Sequence, residues 1–299
     1  MAKVRELRRR IKSVENTRQI TRTMEMVATS RLKKAQDRVV AARPYAAALT
    51  EVISNLYSPD LIEQFPLLRQ PGETPSRTAV VLITSNRGLC GGFNGNLIRE
   101  ARSRIAKLEK TGTEVELHAL GRKGIQYFKY VGRQLAVARD DIGDRPTAAH
   151  AVEVMKPLMD RFESGELDAV EVIFAKFNSA ISTPPTLLPV LPITPPSEGQ
   201  TEGQEKDSSS GAVPNFILSP SAEEIIGAVL PLYVQNAMYR ALVETAASEQ
   251  GARRTAMKNA TDNAGEMIDT LRRTYNRARQ GQVTQELAEI VGGAEALKG

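Results

Sequence analysis

A heptad count that starts at Val4 runs almost unbroken for more than fifty residues. It passes through Leu7, Ile11, Val14, Arg18, Thr21, Glu25, Ala28, Leu32, Ala35, Val39, Ala42, Ala46, Leu49, Ile53 and Leu56. A chain keeps that a/d spacing for so long only as a helix that seals its apolar edge against another helix. Arg18, Thr21 and Glu25 interrupt the seam. Ile20, Met24 and Val27 flank the interruption, so the apolar surface is expected to shift sideways there. Pro44 falls on the outer face and is expected to bend the helix without ending it.

The partner stripe lies at the other end of the sequence. Ser219, Pro220, Ser221 and Glu224 read as a helix start with a capping box. Ile226, Val229, Leu230, Tyr233, Ala237 and Ala241 follow at helical spacing, and Met267, Ile268, Leu271, Tyr275 and Ala278 resume it after a more polar middle. About sixty residues of helix from 219 to 278 would span roughly 90 Å, more than a compact domain can cover. The two stripes meet the rest of the chain near Tyr57 and Ser219, so if they pair they run antiparallel. Ala241, Ala246, Ala247, Ala252, Ala256, Ala260 and Ala264 permit close approach. On periodicity alone this is a generic coiled coil.

Composition narrows the class. No apolar run among the 299 residues approaches the length of a membrane span, although 41% are hydrophobic. No charged-then-apolar leader precedes the first helix, so no secretory signal is expected. The single cysteine, Cys90, excludes an internal disulfide framework and suits a reducing compartment. The net charge is +5, but residues 1–43 hold thirteen Lys or Arg against four acids, so that segment is +9 and the remainder −4. The first helix therefore calls for an acidic neighbour. Nucleic acid is one candidate, with strongly salt-dependent binding, and an acidic protein surface is the other. The absence of Trp and of aromatics within the basic run argues against single-strand stacking.

Between the stripes, residues 58–77 carry several prolines and read as a connector. Residues 78–84 form a continuous β-branched apolar run, as in a strand buried on both faces. The glycine-rich segment 87–95 leads into a helix carrying Leu97, Ile98, Ala101, Ile105 and Leu108. Strands are expected at 114–120, 134–138 and 170–177, with helices at 123–131 and 147–162. That alternation predicts a small α/β domain with a mostly parallel sheet. A proline-bounded edge strand is expected at 187–193. The polar segment 198–211 reads as a disordered surface loop. The expected domains are therefore helix 1–57, connector 58–77, α/β domain 78–218 and helix 219–299.

Catalytic features are scarce. Gly88, Gly91, Gly92 and Gly95 follow a strand and precede a helix, a place where phosphate can bind. Their spacing fits neither the dinucleotide fingerprint nor the P-loop, so a tight structural turn is expected. Cys90 would serve as a nucleophile only beside His118 or His150; otherwise it is a small buried filler. Two histidines and one cysteine do not suggest a metal site. Asp140, Asp141 and Asp144 sit in a Gly- and Pro-containing loop where exposure is the default. An enzyme built on the glycine turn therefore stands as a minor alternative.

Several stretches together resemble the γ subunits of F-type ATP synthases. They are IKSVENT at 11–17 with MEMVA at 24–28 and RPY at 43–45; TSNRGLCGGFN at 84–94; ASEQGAR at 247–253, AMKNATDN at 256–263 and YNRARQ at 275–280; and VTQELAEIVGGA at 283–294. The resemblance implies an antiparallel coiled coil of the two termini with a Rossmann-like α/β domain between them. It implies a non-catalytic rotor without cofactor or metal, which couples proton flow through a membrane c-ring to catalytic sites on β subunits. The implied partners are the α and β subunits, ε and the c-ring, with no nucleic acid. The implied location is the cytoplasmic face of the bacterial plasma membrane, peripherally bound.

By match to the family motifs, Met24 lies near an acidic loop on β. Arg253, with Arg254 beside it, and Gln280 would hydrogen-bond β, in a contact region that also includes Thr284 and Glu286. Leu287, Ile290 and Val291 would seat the tip in an apolar collar. The polar interval 248–263 is expected to supply switchable surface contacts. The paired regulatory cysteines of the chloroplast type are missing, since Cys90 stands alone.

Overall fold

The computed structural model describes residues 2–56, 64–70, 72, 75–193 and 222–296. The polar segment 198–211, the capping box at 219–221 and much of the connector lie outside the described residues. The chain divides into two units: Met1–Ser30 with Arg253–Gly299, and Arg31–Ala252. Two long helices, α1 (Ala2–Leu56) and α5 (Ala222–Ala296), contribute segments to both.

The larger unit is built on a five-stranded sheet. Its strands are β1 (Arg77–Ile83), β2 (Glu114–Leu120), β3 (Val137–Arg139), β4 (Ala169–Ala175) and β5 (Pro185–Leu191), in the order β3-β2-β1-β4-β5. The first four strands are parallel, and β5 pairs antiparallel with β4 at the edge. Pro185 and Pro189 explain the edge position, because proline cannot donate to a second ladder. Between strands run α2 (Phe93–Lys110), α3 (Arg122–Tyr130) and α4 (Ala148–Glu163).

The β-branched run of β1 is buried on both faces, and its alternate residues feed two cores. Val80 and Leu82 meet Leu97, Ile98, Ala101 and Ile105 of α2 and Phe128 of α3. Ala79, Val81 and Ile83 meet Met155, Leu158 and Phe162 of α4, together with Ile53 of α1 and Ile226, Leu230, Val234 and Met238 of α5. The inner ends of both long helices thus cover one face of the sheet. Further along, Ala35 and Val39 of α1 pack on Val243 and Ala247 of α5, which run antiparallel to them. Pro44 is exposed and the helix continues through it.

Two polar pairs are set into this unit. Glu171 on β4, 7% exposed, takes a bidentate contact from Arg104 of α2. Glu116 on β2 takes another from Arg161 of α4, at 2.8 Å on each oxygen. That hydrogen bond holds the Glu116 carboxyl below the usual range. His118, two residues on and buried, has its pKa lowered by loss of solvent.

The glycine segment is a structural turn, as expected. Asn94 closes it: its Oδ1 accepts from Ser85 N at 3.0 Å and its Nδ2 donates to Ser85 Oγ at 2.8 Å and to Cys90 Sγ at 3.2 Å. Cys90 is buried among apolar neighbours. The aspartates of the 140–144 loop do not stand alone in solvent. Asp140 pairs with Arg122 at 3.1 Å, Asp141 with Arg139 at 2.5 Å and Asp144 with Arg31 at 2.8 Å. Gly121, at φ 100°, admits no side chain, since a Cβ there would stand 2.1 Å from Thr84 O. That contact seats the start of α3 against the end of β1.

Candidate functional site

All nine residues named as contacts from the sequence fall in the smaller unit, where α1 up to Ser30 pairs with α5 from Arg253. Here the heptad spacing produces a narrow seam. Thr21 and Ala28 are buried on α1; Met257, Thr261, Ala264 and Ile268 are buried on α5. Thr21 does not break the seam but pins it. Thr261 Oγ1 donates to Thr21 Oγ1 at 2.8 Å, and Thr21 Oγ1 donates to Arg18 O at 3.0 Å. A bonded hydroxyl pair keeps the register without a sideways shift, so Ile20 and Val27 remain 59% and 48% exposed. Met267 likewise lies off the stripe, 53% exposed.

The polar interval 248–263 differs from expectation in the same way. Ser248, Glu249, Gln250, Arg253 and Thr261 are buried; among its polar residues, Lys258, Asn259, Asp262 and Asn263 are the exposed ones. Ser248 donates to Ala175 O at 3.1 Å. Much of the interval therefore serves the chain's own packing.

The candidate contacts form two groups. Antiparallel register through Thr21 and Thr261 puts Met24 opposite the turn of α5 that follows Arg253 and Arg254. Met24 and Arg254 are half-buried, while Arg253 is buried and engaged within the chain. Gln280, Thr284 and Glu286 begin roughly 40 Å further along the helix. Thr284 Oγ1 donates to Gln280 O at 2.9 Å, and Glu286 accepts from Gln282 Nε2 at 2.8 Å. Gln280, Thr284, Leu287 and Val291 follow one another at helical spacing and share a stripe; Glu286 and Ile290 form the stripe beside it. Residues 283–294 are exposed on every side, with Leu287 at 57%, Ile290 at 67% and Val291 at 65%.

A basic groove of about 780 Å³ also lies in this unit. Arg5, Arg8, Arg9, Lys12 and Arg272 line it, against one carboxylate, Glu15, which pairs with Arg272 at 2.7 Å. Sequence reasoning had the charge of this segment but not the groove. It also missed the Thr21–Thr261 pair, whose signal was a threonine on the seam of each helix.

The family model for ATP synthase matches residues 3–297. The ATP synthase gamma chain of Gemmatimonas aurantiaca is 59% identical over 100% of both chains, and that of Leptospira biflexa is 43% identical over 99% of this chain and 100% of its own. This chain belongs to the ATP synthase gamma-chain family. Solved structures add the fold. A chain of the Euglena gracilis mitochondrial ATP synthase aligns at TM-score 0.66 and 20% identity, covering 99% of this chain and 95% of that one. One from the central stalk and c-ring of the Tetrahymena thermophila enzyme aligns at 0.58 and 22%, covering 81% and 99%. Gamma-chain membership gives no support to the nucleic-acid reading of the basic helix. It also removes the reading of the glycine turn as an active site, because a gamma chain is a non-catalytic subunit.

Proposed function

We propose that this chain is the central-stalk rotor of an F-type ATP synthase and passes torque between a proton-driven membrane ring and catalytic sites held by other subunits. The observation that carries the reading is the exposed end of α5: a lone helix with an aliphatic stripe makes physical sense inside a closely fitting sleeve. Leu287, Ile290 and Val291 would slide against an apolar collar of α and β subunits. Gln280, Thr284 and Glu286 would exchange hydrogen bonds with β just below it. Met24 and Arg254 would face an acidic loop on β, with Arg253 held beneath them as a positive charge that supports this contact. The basic groove adds long-range attraction to the same acidic surface. The larger unit and the foot of the coil would rest on ε and the c-ring.

None of these roles needs a reacting group, cofactor or metal from this chain. The complex is membrane-associated, while no described helix here is long and apolar enough to cross a bilayer. We place the chain peripherally, on the cytoplasmic face of a bacterial plasma membrane.

The test is assembly with the α and β subunits around a bead-labelled copy of this chain. ATP should then drive unidirectional turning of the bead. A chain that fails to enter the ring, or enters and stays still while ATP is hydrolysed, would overturn the reading.

A further inference from the structure

At the carboxyl ends of β1 and β2 the larger unit holds a cavity of about 300 Å³. Parallel α/β sheets bind their ligands in this region, beside the point where strand order reverses, and here β1 has β2 on one side and β4 on the other. Thr84, Asn86 and Arg87 line it from the end of β1, Arg122 from the start of α3, Asp144 from the loop after β3, Arg31 from α1, and Glu249 and Gln250 from α5.

Gln250 is the anomaly. It is 2% exposed, and neither its Nε2 nor its Oε1 has a hydrogen-bond partner. A buried carboxamide with both of its polar atoms unmet is costly to keep, so it marks a place completed by something else. The walls are otherwise ordered. Asn86 Nδ2 donates to Asp140 O at 2.7 Å and its Oδ1 accepts from Arg122 N at 2.9 Å, which ties the two loops together. The guanidinium groups have capacity left. Arg31 uses one nitrogen on Asp144, and Arg122 uses two on Asp140, out of five N–H donors each.

We propose that this cavity binds a protonated phosphate group, as inorganic phosphate or a small phosphomonoester. The site offers both kinds of partner at once. Arg31, Arg87, Arg122 and Gln250 Nε2 donate to phosphate oxygens. Gln250 Oε1 lacks a donor, and a P–OH supplies it. Sulfate carries the same shape and charge without the proton, so it leaves the Gln250 carbonyl facing a bare oxygen. The cavity has room for one oxyanion with waters, or for the carbon part of a small ester. The turn at 87–95 is no P-loop, so the cradle is made of side chains.

Titration calorimetry on the purified full chain, with inorganic phosphate, sulfate and glycerol phosphate as probes, tests this. Phosphate should bind saturably and sulfate about tenfold or more weaker. Gln250→Leu should lower phosphate affinity by about ten- to a hundredfold, the range for losing hydrogen bonds to a charged group. The same substitution should leave the midpoint of thermal unfolding unchanged or raised without phosphate, because it removes an unmet polar group. Arg122→Gln, at a side chain largely in solvent, should weaken phosphate too and serves if Gln250→Leu does not fold. Tighter binding of glycerol phosphate than of phosphate identifies an ester as the ligand; the reverse order identifies the free ion. No saturable binding, equal binding of phosphate and sulfate, or phosphate affinity untouched by both substitutions would overturn the proposal.

Discussion

The two units bury their residues by different means. In the larger one, Val80, Val81, Leu82, Val172 and Ile173 are 0% exposed and covered on both sides of a sheet. In the smaller one, a single seam of two helices is filled by Thr21, Ala28, Thr261 and Ala264 as much as by Met257 and Ile268. A sheet core is redundant, since each side chain has neighbours from several elements. A two-helix seam has one layer, so its order depends on small residues that bring backbones close and on polar pairs that fix register. Precision of surface, more than depth of core, is what the smaller unit provides.

Core truncation should expose this contrast most strongly. Phe162→Ala, at a fully buried position of α4, should cost about 3–5 kcal/mol. Ile268→Ala on the seam should cost about 2 kcal/mol, at the low end of that class, because solvent flanks it. Equal losses in denaturant titrations would break the comparison. Next comes the ion pair within the sheet core. Glu171→Ala leaves Arg104 facing a buried gap and should cost about 2–3 kcal/mol, discounted because the arginine is partly exposed. Loss of less than about 1 kcal/mol would place the pair among ordinary surface bridges.

Acid should act on the larger unit through His118. Its folded pKa is depressed, chiefly by burial. The unfolded chain therefore takes up a proton below about pH 6.5 that the folded chain refuses. Stability is expected to fall as pH drops from about 6.5 toward the depressed value, with a slope of at most about 1.4 kcal/mol per pH unit from this group. Glu116, depressed by Arg161, adds its own loss only below its ordinary range near 4.5. Urea midpoints for His118→Gln between pH 7 and 5 should show a flatter profile; an unchanged profile would refute the assignment.

The threonine pair sharpens the other side. Thr21→Val or Thr261→Val alone should cost about 1 kcal/mol, and the double substitution less than the sum, since either single change already removes the bond between them. Strict additivity would show that the 2.8 Å contact does not hold the seam. The smallest effect belongs to the aliphatic tip. Leu287→Ala, Ile290→Ala and Val291→Ala should each change the stability of the free chain by less than about 0.5 kcal/mol, while lowering torque-coupled turnover in the assembled complex.

Much of this was legible from residue spacing. The unbroken apolar run of β1 and the heptads of α1 announce themselves because one physical demand, hiding apolar atoms, sets the pattern. The glycine turn was also readable, since its spacing excluded the known phosphate loops. Polar burial was not. Thr21 looked like an interruption because a lone threonine gives no sign of its mate 240 residues away. The interval at 248–263 looked like surface because Ser248 and Gln250 are buried by a chain segment far off in sequence. The contact residues were reached through family motifs alone; spacing by itself shows only that Gln280, Thr284, Leu287 and Val291 share a stripe.

The end of α5 has one last implication. A helix with no lateral support keeps its hydrogen bonds only marginally, and its final turns open and close readily. Backbone amides from 283 onward should therefore trade deuterium quickly while the subunit is alone and become protected once something encloses them. Those dozen amides would act as a gauge of docking, readable without touching any other part of the protein.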